Sequence, residues 1–352
     1  MSTVPSVPPA KRLLGLELQD GWTVTREMPL PPKATGGHFS TGYPVTRRDG
    51  THGFLKALDY SLAFNFPPNE IALKLQEITE AINFERSLLK TCGDKNLDRI
   101  VRAVSSGTIR LNSTAPTDVV EYLIFELADA DARHQMDSVR KVELAWIFRT
   151  LHHIATGLRQ LHLQEIAHQD LKPSNVLVFK EAEGRKLADL GRAWRAGENP
   201  PHNSFVVAGD KTYAPPELLY GFVPSSERAR RFGCDLYHLG SMVMYFFSGI
   251  GTTGAMVSML HPQFWPGHWT GTFDQVLPYL QDAFGKVLGD FSAAVDTPFQ
   301  EELTQTLKHL CSPDPAMRGH PKNRGRLVDQ YSLERYISQF DRLAVRATYH
   351  KR

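Results

Sequence analysis

Residues 166–178 read Ile166-Ala167-His168-Gln169-Asp170-Leu171-Lys172-Pro173-Ser174-Asn175-Val176-Leu177-Val178. A carboxylate, an ammonium and a carboxamide fall between Asp170 and Asn175, directly ahead of a short apolar run. As local structure alone this is a polar turn before a strand, with Asp and Asn as turn formers. Upstream, Leu144, Ile147, Leu151, Ile154, Leu158 and Leu161 recur at three- and four-residue steps. That spacing predicts an amphipathic helix whose stripe is core and which delivers the chain into the polar turn. His152, His153 and His162 lie on or beside that helix without a set of carboxylates, so they read as core or surface histidines.

The pattern His168, Asp170, Leu171, Asn175 resembles the catalytic loop of the protein kinase family, H-R-D-L-x-x-x-N, with Gln169 in place of the family's Arg. Phosphoryl transfer asks little covalent chemistry of the protein, so its residues position groups and neutralise charge. The resemblance implies that Asp170 orients and deprotonates the attacking hydroxyl and that Lys172 offsets charge on the transferring group. It also implies that Asn175 offers an oxygen to Mg²⁺, with Mn²⁺ as a possible substitute. Fourteen residues on, Leu187-Ala188-Asp189-Leu190-Gly191 resembles D-F-G, with Asp189 as the second metal ligand.

Upstream of the loop the same family order continues. The segment 35–43 resembles the Gly-rich loop over the ATP phosphates. Gly36, Gly37, His38, Phe39 and Ser40 are its candidate contacts, although Thr35 and Ser40 replace glycines and Gly42 stands where Val is usual. A plain hairpin turn fits the same residues. Gly53 to Asp59 is an apolar strand with one lysine, Lys56, a charge that needs a partner when buried. It resembles the family's strand lysine, which bridges ATP phosphates and a helix glutamate; Phe54 stands where a small residue is usual. Glu77, Glu80 and Glu85 on the helix expected over 70–91 are candidates for that partner. Glu85 is favoured because Leu88 and Leu89 follow it as in the family pattern. Strands are expected over 98–109 and 119–126, and by resemblance Phe125, Glu126 and Ala128 line the adenine hinge.

Downstream, residues 189–217 resemble an activation segment ending at Pro216-Glu217, with Asp210 where Ser/Thr-specific members carry Thr. In the family that Glu pairs with a distant Arg, for which Arg318 stands in the matching motif. Asp235 resembles the helix-start Asp that accepts N–H bonds from the catalytic loop. Residues 251–274 depart from the family: a partner surface or a loop packed on its aromatics. A helix is expected over 332–347.

Composition is that of an ordinary globular chain: 352 residues, 41% hydrophobic, 22% charged, net charge +2. Nothing in this balance argues for nucleic acid or an anionic membrane. Three widely spaced cysteines fit reduced thiols better than a disulfide framework. The Ser/Pro-rich start is not a secretory signal, and a cytoplasmic protein is expected.

The resemblance implies an α+β, bilobal kinase-like fold. The expected plan is a flexible arm over 1–20, within which Leu13 to Leu18 offer apolar residues for packing, a β-rich N-lobe with one long helix over 21–127, a mainly helical C-lobe over 128–330, and a helix with basic tail over 331–352. It implies an ATP- and Mg²⁺-dependent Ser/Thr protein kinase acting on a protein substrate. Gln169 removes a cation that relatives neutralise with a phosphate, so independence of activation-segment phosphorylation is expected. The alternative is a pseudokinase or nucleotide-binding scaffold, favoured by the altered Gly-rich loop, Phe54 and Asp210.

Overall fold

A computed structural model describes residues 7–26, 40–111, 118–138, 142–179, 184–200, 202–324 and 329–350. Two compact units emerge, 1–96 with 101–128, and 97–100 with 129–352.

The first unit is built on an antiparallel sheet of β1 (Trp22–Val24), β2 (Ser40–Arg47), β3 (His52–Leu58), β4 (Ala103–Arg110) and β5 (Val119–Glu126), in the order β1-β2-β3-β5-β4. Alternation along β3 decides what each face does. Leu55 and Ala57 join a core with Tyr43, Val45, Tyr122 and Ile124. The intervening Lys56 points to the helix α1 (Ile71–Asp94), where Glu85 receives it. Phe54 takes up the space left by a glycine: a Cβ on Gly42 would come within 2.8 Å of its ring. The bulk expected at 42 has moved across to the neighbouring strand.

The expectation of a flexible arm over 1–20 is corrected for its described part. Ala10 and Leu13 are fully buried, Leu18 nearly so, and all three belong to the sheet's core. The Tyr43 hydroxyl donates to the Ala10 carbonyl at 2.7 Å, and Arg12 pairs with Asp118. Covering a Leu-sized side chain contributes roughly 1.5–3 kcal/mol, which is why an apolar Leu13 does not stay in solvent. The strand expected from 98 begins instead at Ala103. Residues before it serve the second unit, where the Arg99 carbonyl accepts the Leu187 N–H at 2.8 Å.

The second unit is mainly helical. It opens with the short strand β6 (Ala130–Asp131) and α2 (Ala132–Ser138), followed by α3 (Leu144–His162). The α3 stripe is buried as its spacing predicts: Ile147, Leu151, Ile154, Leu158 and Leu161 are 4% exposed or less. β7 (Ile166–Ala167), β8 (Val176–Val178), β9 (Arg185–Leu187) and β10 (Trp194–Arg195) form two small antiparallel sheets, β6-β8-β9 and β10-β7. They hold both ends of the polar turn 168–175. After α4 (Pro216–Leu219), α5 (Glu227–Ser248) runs buried along most of its length. Ser226 caps its N-terminus, and Gly249, at φ 77°, ends it in a left-handed turn.

Residues 251–274 are anchored by their aromatics and still expose Met259 and Trp265. They include α6 (Thr252–Ser258), Trp265 donating to the Leu260 carbonyl, and Phe264 stacked on Tyr279 at 3.9 Å. α7 (Phe273–Ala294) and α8 (Gln300–Leu310) follow. The last helix, α9 (Glu334–His350), is longer than expected and packs along α3, with Tyr336, Phe340 and Leu343 fully buried. Among the described residues, no helix is long and apolar enough to cross a membrane.

Candidate active site

Each unit carries one polar constellation. In the first, the Lys56 ammonium lies 3.0 Å from both carboxylate oxygens of Glu85. The other two candidate glutamates are engaged elsewhere: Glu77 with Lys74 at 2.9 Å, and Glu80 with Gln76 at 2.7 Å. Helical phase explains the difference, since Glu85 shares the buried face with Ile82, Phe84, Leu88 and Leu89. Glu85 is 6% exposed at its side chain and Lys56 22%, so the pair is sheltered and still reachable from solvent.

The remaining first-unit candidates divide sharply. Gly36, Gly37, His38 and Phe39 lie outside the described residues, whereas Ser40 opens β2 opposite Leu58. Phe125 is buried and pairs with Phe54 across the sheet. Glu126 is fixed at both its backbone and its side chain by Arg102, whose N–H reaches the carboxylate at 2.8 Å. Ala128 is half-buried at the end of this unit.

In the second unit the polar turn is over-determined. Asp235, fully buried on α5, accepts the backbone N–H groups of His168 and Gln169 at 2.8 Å each, and the His162 ring N–H at 2.8 Å. Burial by itself would raise its carboxyl; the His162 hydrogen bond and the Gln169 N–H outweigh that and hold it below the usual range. These bonds keep Gln169 at φ 62°, a left-handed conformation that a non-glycine residue takes only under such restraint. His168 donates from Nε2 to the Ala188 carbonyl at 3.0 Å, which leaves Nδ1 to accept the Asp170 N–H at 3.3 Å.

Asp170 sits at the centre. Its carboxylate receives the Asp210 N–H at 2.7 Å, lies 3.2 Å from the Lys172 ammonium, and meets the Asn175 amide at 3.3 Å. Burial pushes the carboxyl up; Lys172 works against this, and the negative Asp189 nearby adds to it. Asn175 donates its amide to the Asp170 carbonyl at 2.8 Å, which commits its nitrogen and leaves its oxygen as the group suited to a hard cation. Asp189 is held at φ 63°, ψ 75°, at the turn that follows β9.

The departure at 210 keeps the local connections. Asp210 reaches Lys172 with its own carboxylate at 3.7 Å and accepts the Thr212 hydroxyl at 2.7 Å. Lys172, 5% exposed, therefore lies between two carboxylates. Gly209 makes this packing possible, because a Cβ there would fall 2.6 Å from an Asp170 carboxylate oxygen.

In the second unit Asn175 and Asp189 offer hard oxygens of the kind Mg²⁺ takes. In the first, Lys56 offers a cation of the kind that suits a phosphate group. Among the described residues no group of three or more His, Cys, Asp or Glu could hold a metal.

Sequence reasoning missed two participants. His162 stacks on Phe232 at 4.1 Å between ring centroids and steadies Asp235. Arg231, 1% exposed, donates to the Gln169 side-chain oxygen at 2.7 Å. Its signal was the four-residue step from Glu227, with which it pairs at 2.9 Å along α5, hidden inside a basic run that reads as a solvated face. The last residue of the segment 189–217 also finds the distant arginine that the resemblance implies: Glu217 and Arg318 form a two-point bridge at 2.6 and 2.7 Å.

Comparison with known proteins adds an independent line. The sequence pattern of the protein kinase domain matches residues 69–322. Serine/threonine-protein kinase PKH3 of Eremothecium gossypii is 27% identical over 222 residues, 60% of this chain and 27% of that protein. Cyclin-dependent kinase 17 of Caenorhabditis elegans is 31% identical over 137 residues, 38% of this chain and 20% of that protein. The matched stretches thus span about a quarter or less of these relatives' own lengths.

Proposed function

The chain belongs to the protein kinase domain family, and we propose that it transfers the γ-phosphate of ATP to Ser or Thr hydroxyls of a protein substrate. The observation that carries this reading is the network around Asp170, with Lys172 at 3.2 Å and the Asn175 amide locked to the Asp170 backbone. A scaffold that only bound nucleotide would have no use for a buried base so arranged. The name of the Eremothecium relative supports the Ser/Thr class.

In this mechanism Asp170 aligns the acceptor hydroxyl and takes its proton as the new bond forms. Its raised carboxyl makes it a stronger base than a surface aspartate, provided the pH keeps it ionised. Lys172 places positive charge where the transferring group gathers negative charge. Asn175 and Asp189 would hold Mg²⁺, which would supply positive charge to offset that of the phosphates. Lys56, oriented by Glu85, would hold the α- and β-phosphates, with residues 36–40 covering them and Phe125, Glu126 and Ala128 beside the adenine. Turnover requires no phosphate on the activation segment, because position 169 is an uncharged Gln.

The test is transfer of labelled phosphate from ATP with Mg²⁺, to the chain itself and to a generic basic protein, beside Asp170→Ala. Transfer is expected from the wild type and a loss of at least about a thousandfold from the variant. Phosphatase treatment, verified by mass spectrometry, is expected to leave the wild-type rate unchanged. ATP binding with no transfer would replace this reading with that of a nucleotide-binding scaffold.

A further inference from the structure

Gln169 removes one cation from the catalytic loop, yet a cation is still there. The Arg231 guanidinium comes from α5, is 1% exposed, and lies under the loop. It donates from one Nη to the Gln169 side-chain oxygen at 2.7 Å, from Nε to Glu227 at 2.9 Å, and from the other Nη to the side-chain oxygen of Asn203. Its plane lies 5.8 Å from the Trp194 ring. Next to it, Arg230 donates to the backbone carbonyls of Asn203 and Phe205 at 3.3 and 3.0 Å. Gln169 in turn donates to the Arg192 carbonyl at 3.1 Å. Residues 192, 194, 203 and 205 all belong to the segment 189–217.

A buried guanidinium demands acceptors on every side that lacks water. Here one carboxylate, half-exposed at Glu227, and two amide oxygens meet that demand. The geometry points to Arg231 as a positioning residue: it fastens the activation segment, through Asn203, to the catalytic loop, through Gln169, one residue before Asp170. Asn203 supplies as a fixed neutral oxygen what a phosphate would otherwise supply as an anion. The inference rests on the kinase reading above and deepens it, since it names what orders the segment in an unphosphorylated chain. Gln169 is suited to the arrangement because an Arg at 169 would set two buried cations against each other.

Asn203→Ala is the decisive variant, because Asn203 lies near the surface and its loss leaves the helical core intact. With the unphosphorylated chain, kcat is expected to fall about ten- to hundredfold, the range for losing a hydrogen bond to a charged group, while KM for ATP stays within about twofold. Asn203→Asp keeps the oxygen, adds charge, and is expected to restore kcat. In parallel, amide exchange at 203, 205 and 210 is expected to accelerate in Asn203→Ala and return to the wild-type rate in Asn203→Asp. If the wild type transfers no phosphate, the kinase reading falls, and the exchange arm alone decides the fastening. Unchanged exchange in Asn203→Ala overturns the fastening whatever the activity. Faster exchange with unchanged kcat in an active enzyme overturns the positioning role of Arg231.

Discussion

Two acid–base pairs of similar chemistry, one in each unit, are built for opposite purposes. Lys56–Glu85 sets a point charge against a carboxylate and leaves the lysine side chain 22% exposed. Glu217–Arg318 sets a planar fork against a carboxylate, with the two side chains 2% and 0% exposed. Each Nη of Arg318 also donates to a backbone carbonyl, one to Gly233 at 3.3 Å and the other to Ser312 at 3.1 Å. Burial pulls its guanidinium down, but the Glu217 charge and hydrogen bonds prevail and hold it above its ordinary value. On the function proposed above, the pair that meets a ligand keeps one member open and uses the flexible ammonium. A pair that only joins two distant segments is sealed and uses the guanidinium, whose two parallel bonds fix direction as well as distance.

The contrast can be broken most forcefully at Arg318. Arg318→Met leaves a buried Glu217 charge without its partner and is expected to lower unfolding stability by about 3–5 kcal/mol, measured by urea denaturation. Retention of full stability would show the sealed pair to be ornamental. Next in size, Lys56→Met is expected to lower kcat/KM about 10²–10³-fold, the scale for removing one charge-stabilising donor. Its stability loss is expected near 1–2 kcal/mol, because the open pair never left water completely. A variant that unfolded as readily as Arg318→Met yet still turned over would reverse the assignment of the two pairs.

Protons provide a gentler probe of the sealed interior. His238, on α5 and 1% exposed, is lowered to about 4 chiefly by burial, with Asp235 opposing the shift. Its folded pKa is thus depressed below the value of roughly 6.5 in an unfolded chain. Between those values the unfolded chain binds the extra proton, so stability is full above about pH 6.5 and declines as pH falls toward 4. The slope attributable to this residue is up to about 1.4 kcal/mol per pH unit. His153, lowered to about 3, and His309, lowered to about 4, shift in the same direction. Urea midpoints at a series of pH values, for the wild type and His238→Phe, test this. Equal slopes in the two proteins would clear His238 of any part.

Legibility in the sequence followed the range of the contacts involved. Glu85 could be chosen among three glutamates because Leu88 and Leu89 mark the buried face of the same helix. The α3 stripe was readable for the same local reason. Residues 10–18 were not, since what makes them core is Tyr43, Tyr122 and Ile124, far along the chain. The strand expected from 98 was shortened by remote partners: Arg99 accepts the Leu187 N–H and donates its own to Gln160. Around the candidate site, residues 170, 172, 175 and 189 stood out through the order of motifs they share with the family. Arg231 did not, because Arg228, Arg230 and Arg231 look alike in sequence while only Arg231 is buried. Asp210 was legible as a departure; its contact with Lys172 came only from the fold.

Gly209 gives the segment after β10 a mechanical property. With no side chain, its backbone rests against the catalytic loop, where a Cβ would come within 2.5 Å of the Gln169 carbonyl oxygen. The next residue, Asp210, donates its N–H to the Asp170 carboxylate at 2.7 Å. The segment thus bears on the base through one direct hydrogen bond, so a shift at Asp210 reaches the Asp170 carboxylate with no intermediate residue.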